Sequence, residues 1–216
     1  MNARWTLGDA ARAFVGFTSP RVLIATVALL VPLRLALGAW TLLDLVVPLA
    51  MVAVHPFTEW LIHVFLLHAK PRKLGPWTLD TVAARDHRRH HQDPAHLPLV
   101  FIPLPTLAAG GLLIPLLAFL LAPTWTLGLT VFAWASCMAL FYEWTHYVCH
   151  SPWVPEGAFF KSRIRHHRLH HYKNERYWYG VTLHLGDRVL RTRPDADRVE
   201  RSPTARALHG DVPQGG

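Results

Sequence analysis

Ten histidines fall into four tight groups: His63 and His68 in "HVFLLH", His87, His90 and His91 in "HRRHH", His146 and His150 in "HYVCH", and His167, His170 and His171 in "HRLHH". Neutral imidazole is the commonest protein metal ligand, and fifteen histidines in 216 residues are an unusual number for a chain of this length. The spacing fits ligation. On a helix, positions i, i+3 and i+4 share a face, so each H-x-x-H-H set predicts three rings on one stripe. His146 and His150 lie one turn apart. His63 and His68 are five residues apart, about 140° around a regular helix, and suit one ion only if the helix ends or distorts there. First-row ions take about four to six ligands, so ten imidazoles suit two ions with about five nitrogens each. Imidazole accepts iron, zinc, nickel and copper alike, and spacing does not choose among them.

The groups echo each other. His87, His90 and His91 recur 80 residues later as His167, His170 and His171, and the pair His63/His68 recurs as His146/His150. Two similar halves, each giving five ligands, are expected to meet at one place. Arginines interleave with the histidines, and their like charge disfavours imidazolium. Arg88, Arg89, Arg165 and Arg168 read as a solvated face near anionic headgroups, or as a docking surface for an acidic electron donor.

The elements that must position these rings are apolar. Stretches at roughly 21–40, 44–68, 100–121 and 125–149 each have about the 20 residues needed to cross a bilayer. Pro32, Pro48, Pro56, Pro103, Pro105 and Pro115 interrupt three of them, which membrane helices tolerate. Twenty-one of the 22 Lys and Arg lie before the first span, between the second and third, or after the fourth. The positive-inside rule then places both termini, the middle loop and all ten histidines on the cytoplasmic face. Arg34 alone falls within a span, within reach of Asp44.

The expected architecture is all-α and integral to the membrane: four transmembrane helices in two hairpins under a cytoplasmic histidine-rich helical cap. Residues 1–20 read as a cytoplasmic segment, 21–192 as the membrane domain with its di-metal site, and 193–216 as a disordered polar tail. No cleavable signal peptide is expected. The composition, rich in Ala, Arg, Leu and Pro, points to a bacterial plasma membrane. Cys137 and Cys149 are too few for a disulfide framework. A net charge of +8 would suggest nucleic acid for a soluble chain, but four spans exclude that partner. A metal transporter would place ligands along a path near the bilayer midplane, whereas these cluster at one edge.

Glu59 and Glu143 each lie one turn before a candidate ligand. Carboxylates within spans are costly and functional by default. They are expected to accept an imidazole N–H and fix its tautomer, with direct ligation and helix packing or polarity remote from the site as the alternatives. Asp86 and Asp93 could do the same for the second group. Phe57, Phe65, Trp134, Phe141 and Tyr142 are candidate walls for an apolar substrate. His166 and His184 read as supporting or solvated residues, His55 as a helix-packing residue, and His96 and His209 as surface residues.

With these motifs the chain resembles the fatty acid hydroxylase and sterol desaturase superfamily of histidine-rich membrane oxidases. The matching pieces are H-x4-H at His63/His68, the two H-x2-H-H sets, H-x3-H at His146/His150, and "YGVTLHLGDRVLRT" after the last set, over about residues 55–192. His184 stands where that family more usually has an aromatic residue. The resemblance implies two iron ions, with zinc as a possible substitute in isolated protein. It also implies O2 activation and hydroxylation or desaturation of a lipid C–H bond. No cytochrome-like domain precedes the spans, so a separate electron-transfer protein is the expected donor.

Overall fold

The computed structural model describes residues 5–208; Arg4 and His209 lie outside them. Helix α1 (Leu7–Phe14) begins at Thr6, whose hydroxyl accepts from the Asp9 amide while Asp9 accepts from the Thr6 amide, a reciprocal cap. Four helices are long and apolar enough to cross a membrane: α2 (Thr18–Leu37), α3 (Leu43–Leu61) extended by a π-helical turn (Ile62–Leu67), α5 (Leu104–Leu121) and α6 (Trp125–His150). Their outer faces stay uncovered: Leu29, Leu112 and Leu121 are 67%, 76% and 78% exposed. Burying apolar surface is worth about 25 cal/mol per Å2, so lipid rather than water is the favourable covering for such faces.

Helix α6 is the hub. It packs along α2 and α5 and also meets α3 and α7. Four spans in two hairpins were expected; α5 packs along α6, and α2 also leans mainly on α6. Arg34 of α2 shows why. Buried, it donates to Thr130 of α6 at 2.7 Å, to Asp44 of α3 at 2.7 Å and to the Gly38 carbonyl at 2.6 Å. Its guanidinium lies over the Trp40 ring. Asp44 also accepts from Thr130 and from the Thr41 amide and hydroxyl. A charge inside a span is thus satisfied by partners on three segments.

Above one end of the spans sit α4 (Val82–Gln92), α7 (Ala158–Tyr172) and the short α8 (Leu185–Val189). Thr81 caps α4 by accepting from the Ala84 amide. Phe14, Phe101, Trp144 and Tyr147 form an aromatic cluster that fastens α1 to the end of α6.

The all-α expectation needs one correction. Strands β1 (Arg72–Leu74) and β2 (Trp77–Leu79) form a small antiparallel ribbon, with Arg72 opposite Leu79. Gly75-Pro76 breaks the helical run there and turns the chain. Arg88 anchors the ribbon by bonding Asp80 and the Ala69 carbonyl.

A second correction concerns the tail. Residues 193–216 were expected to be disordered; 209–216 lie outside the described residues, and within 193–208 Ala205 and Leu208 are buried, 2% and 1% exposed. Ser202 donates its amide to the Lys173 carbonyl, and Thr204 its hydroxyl to Glu175. Polar composition misled here because this stretch is held by hydrogen bonds and two apolar anchors.

Candidate metal centre

The ten histidines converge, and they divide into two sets. Site one holds His63, His68, His87, His91 and His170; site two holds His90, His146, His150, His167 and His171. Within each set, one nitrogen from every ring lies within 4.8 Å of those of the others. His90, His91, His170 and His171 are fully buried.

The division crosses the two halves of the chain. On α4, His87 and His91 are one turn apart and serve site one, while His90, about 100° away from its neighbour, serves site two. On α7 the pattern is mirrored: His167 and His171 serve site two, and His170 serves site one. Each half therefore gives four rings to its own site and one to the other.

The awkward five-residue spacing of His63 and His68 is resolved by the backbone. The His68 amide donates to the His63 carbonyl at 3.0 Å, the i→i+5 bond of a π turn. Its wider winding brings position i+5 close to a full turn, and the two ring centroids lie 4.9 Å apart. The second half spaces its pair by four and stays α-helical through His150.

Outer hydrogen bonds fix ring orientation in site one. His63 Nδ1 donates to the Tyr179 carbonyl at 2.7 Å, His91 Nδ1 to Ala205 at 2.9 Å and His170 Nδ1 to Tyr177 at 2.8 Å. A carbonyl only accepts, so each Nδ1 carries the proton and each Nε2 lone pair faces inward. In site two, among the described residues, His90 has no hydrogen-bond partner at either nitrogen, and Nδ1 of His146, His167 and His171 has none. The Val100 carbonyl lies near His146 without closing a hydrogen bond, and the Pro94 carbonyl lies beside His150.

The donor set fits a metal. His167 Nε2 lies 3.1, 2.8 and 3.0 Å from the Nε2 atoms of His146, His150 and His171. One ring nitrogen carries either a proton or a lone pair, so three N–H···N bonds at that atom are impossible. Two nitrogens about 2.1 Å from one ion at right angles are about 3 Å apart, which is the separation seen. Site one shows the same edges, at 3.1 Å for His63–His87 and 3.2 Å for His91–His170.

The rings of the cap are also in the binding form. Burial, followed by the neighbouring imidazoles, holds His87, His90, His167, His170 and His171 well below the ordinary histidine range. Burial takes His91 down to about 3, partly offset by its bond to Ala205. Burial outweighs the arginines that the sequence brings to attention.

The carboxylates do a different job from the one expected. Glu59 accepts from the amides of Val181, at 2.6 Å, and Thr182, at 3.0 Å, and from the Thr182 hydroxyl; it bonds no site ring. Glu143 accepts from Ser19 at 2.5 Å and from the Ile102 amide at 3.0 Å. Asp86 pairs with Arg89, and Asp93 accepts from the Ala95 amide. Amides, hydroxyls and, for Asp86, an arginine take up these groups in place of a site ring.

Among the candidate walls, Tyr142 lies against a site ring, 5.6 Å from His146, while Phe65 is 68% exposed and packs on Trp60. His55 bonds the Thr182 hydroxyl, and His166 bonds Asp187 and stacks on His184 at 3.8 Å. His96 is exposed and remote, and Arg165 and Arg168 face outward from α7.

Sequence reasoning missed Asp187 and the carbonyls of Tyr177, Tyr179 and Ala205. Asp187 lies in the quoted "LHLGDRV", but its role depends on what folds over it.

The fatty acid hydroxylase sequence model matches residues 48–192. The chain belongs to the fatty acid hydroxylase family. It is 30% identical over 135 residues to fatty acid 2-hydroxylase of Homo sapiens, covering 62% of this chain and 36% of the human protein. It is 33% identical over 142 residues to dihydroceramide fatty acyl 2-hydroxylase FAH2 of Arabidopsis thaliana, covering 63% and 55%. The chain thus spans about a third to a half of the length of these relatives. A solved structure described as full-length Scs7p, with only its hydroxylase domain visible, shares the fold. Its TM-score is 0.64 at 21% identity, over 90% of this chain and 69% of that one. All ten ring donors fall inside the residues matched to the fatty acid hydroxylase family, whereas Ala205, which supports His91, lies beyond them.

Proposed function

We propose that this fatty acid hydroxylase family member holds two iron ions, one in each five-histidine site, and inserts oxygen into a C–H bond of a fatty acyl chain. The observation that carries the reading is the convergence of ten rings, eight of them buried and His68 and His150 half-buried, into two sets of five nitrogens. Five imidazoles per site exceed the closed four-ligand shell of structural zinc and suit iron. The overall change is RH + O2 + 2 e− + 2 H+ → ROH + H2O, and an electron-transfer protein supplies the electrons. The names of the relatives, fatty acid 2-hydroxylase and dihydroceramide fatty acyl 2-hydroxylase, favour hydroxylation over desaturation and favour carbon 2.

Bound iron would supply the reductive cleavage of O2 and the attack on the unactivated C–H bond. The chain supplies the rest. Its rings are held neutral by burial. Outward Nδ1 protons point inner lone pairs at the ions. The aromatic and leucine-rich surroundings keep water from the reacting atoms. The exposed apolar faces of α2, α3 and α5 let a lipid approach without leaving the bilayer. The distribution of Lys and Arg supports two inward-facing termini and a cytoplasmic cap.

The test uses the iron-loaded full chain in membranes with a reductant, a fatty acyl substrate and isotopically heavy O2. A 2-hydroxy product carrying the heavy atom, lost on chelation and restored by ferrous iron, is expected. Full activity in metal-free protein contradicts the reading.

A further inference from the structure

We propose that Asp187 and Glu59 are positioning residues that make site one the tighter of the two metal sites. The inference rests on the reading of both clusters as metal sites. Its basis is the segment 177–182, which presents two carbonyls to site one and offers four consecutive amides to carboxylates. Asp187 accepts from the Tyr179 amide at 3.0 Å and from the Gly180 amide at 2.7 Å. Glu59 takes the next two amides, those of Val181 and Thr182. With every amide from 179 to 182 held, the segment cannot slide, and the Tyr177 and Tyr179 carbonyls stay on His170 and His63.

The segment would not rest there by itself. Trp178 has φ of 59°, in the left-handed region that a bulky residue avoids. Its indole is 2% exposed and its amide donates to the Thr192 carbonyl at 2.8 Å. Thr192 in turn donates its hydroxyl to Asp187 at 2.6 Å. His166, next to a site-two ligand, completes the Asp187 shell at 2.9 Å. Burial pushes the Asp187 carboxyl up, but these donors outweigh it and hold the group below its ordinary range. An ionised carboxylate with four donors is a strong anchor.

Two glycines allow the close approach. A Cβ on Gly180 would fall 2.9 Å from Asp187 Oδ2, and one on Gly186 would fall 2.4 Å from the Pro56 carbonyl. Gly186 therefore seats α8 on α3, and Asp187 beside it reaches the segment. Among the described residues site two has no counterpart: four of its five rings have an outer nitrogen without a partner there. An acceptor on the outer nitrogen orients a ligand and raises its basicity, and losing such a partner typically costs about 10- to 100-fold in metal affinity.

The test titrates cobalt(II) into metal-free full-length protein in detergent micelles, read by visible absorption. Wild type is expected to fill in two phases of different affinity. His146→Ala should remove the weaker phase. Asp187→Asn turns acceptors into donors against N–H groups and should weaken the tighter phase by about 10- to 100-fold, leaving the weaker one in place. If that variant does not fold, Thr182→Val removes the hydroxyl that donates to Glu59 and bonds His55, keeps the amide donors to Glu59, and should weaken the same phase by a few-fold. Two equal phases in wild type, loss of the tighter phase in His146→Ala, or a variant that shifts both phases alike or neither would overturn the proposal. Failure of the hydroxylase reading looks different: both phases persist, yet the metal-filled protein forms no product.

Discussion

Site one and site two use nearly the same ligand pattern, yet the protein holds them differently. In site one, three rings donate outward to carbonyls of segments more than a hundred residues away or on the far side of α7. In site two, the rings rest on each other and on helix packing, with Nδ1 of His146, His167 and His171 unpartnered. Ligand identity is therefore a local property of helical spacing, whereas ligand orientation is a tertiary one. The repeat duplicated the first and left the second to whatever chain lay nearby.

The sharpest break in the comparison comes from the exchanged rings. His170→Ala should cost site one its ion and His90→Ala should cost site two its ion, each measured as metal per chain. Both should lower product formation by more than about 100-fold, since loss of a ligand exceeds the effect of its supporting partner. If either variant empties the other site instead, the crossed assignment is wrong.

A control far from both sites comes next. Asp44→Ala strands Arg34 in a span and should cost about 3–5 kcal/mol of stability, seen as a lower unfolding midpoint. The ratio of the two metal affinities should not change.

Acid should strike both sites together. The cap rings have folded pKa values below the unfolded value, about 3 for His91. Stability is then full above the ordinary imidazole range and declines as pH falls below about 6.5, because the unfolded chain takes up protons the buried rings refuse. A thermal midpoint of the metal-free protein that stays flat from neutral pH to about 5 would contradict this.

The mildest test is Arg206→Ala. Arg206 donates to the carbonyls of His91, at 2.9 Å, and Gln92, at 2.5 Å, and so seats the Ala205 carbonyl on His91. Its loss should cost about 1 kcal/mol and weaken site one alone by a few-fold in the same cobalt titration.

Much of this arrangement was legible in the sequence. The i, i+3, i+4 spacing marked six of the rings and the pairs His63/His68 and His146/His150 the other four, the four apolar runs marked the spans, and Arg34 was placed within reach of Asp44. The partition into two sites was not legible, since it depends on how α4 and α7 face each other. The π turn was foreseeable only as a need for distortion. Asp187 was missed because its four donors come from segments that meet only after folding. The tail was misread because composition reports average polarity, and two buried apolar residues, Ala205 and Leu208, together with hydrogen bonds to Lys173 and Glu175, hold it.

The first half of the chain contains one residue more between its paired ligands than the second, and the winding at Ile62–Leu67 absorbs it. That bulge acts as a phase adjuster. Excising any single residue from Val64 to Leu67 would let the rod continue in ordinary register, and everything downstream would enter rotated by about 100°. One surplus peptide unit thus keeps two unequal halves in step.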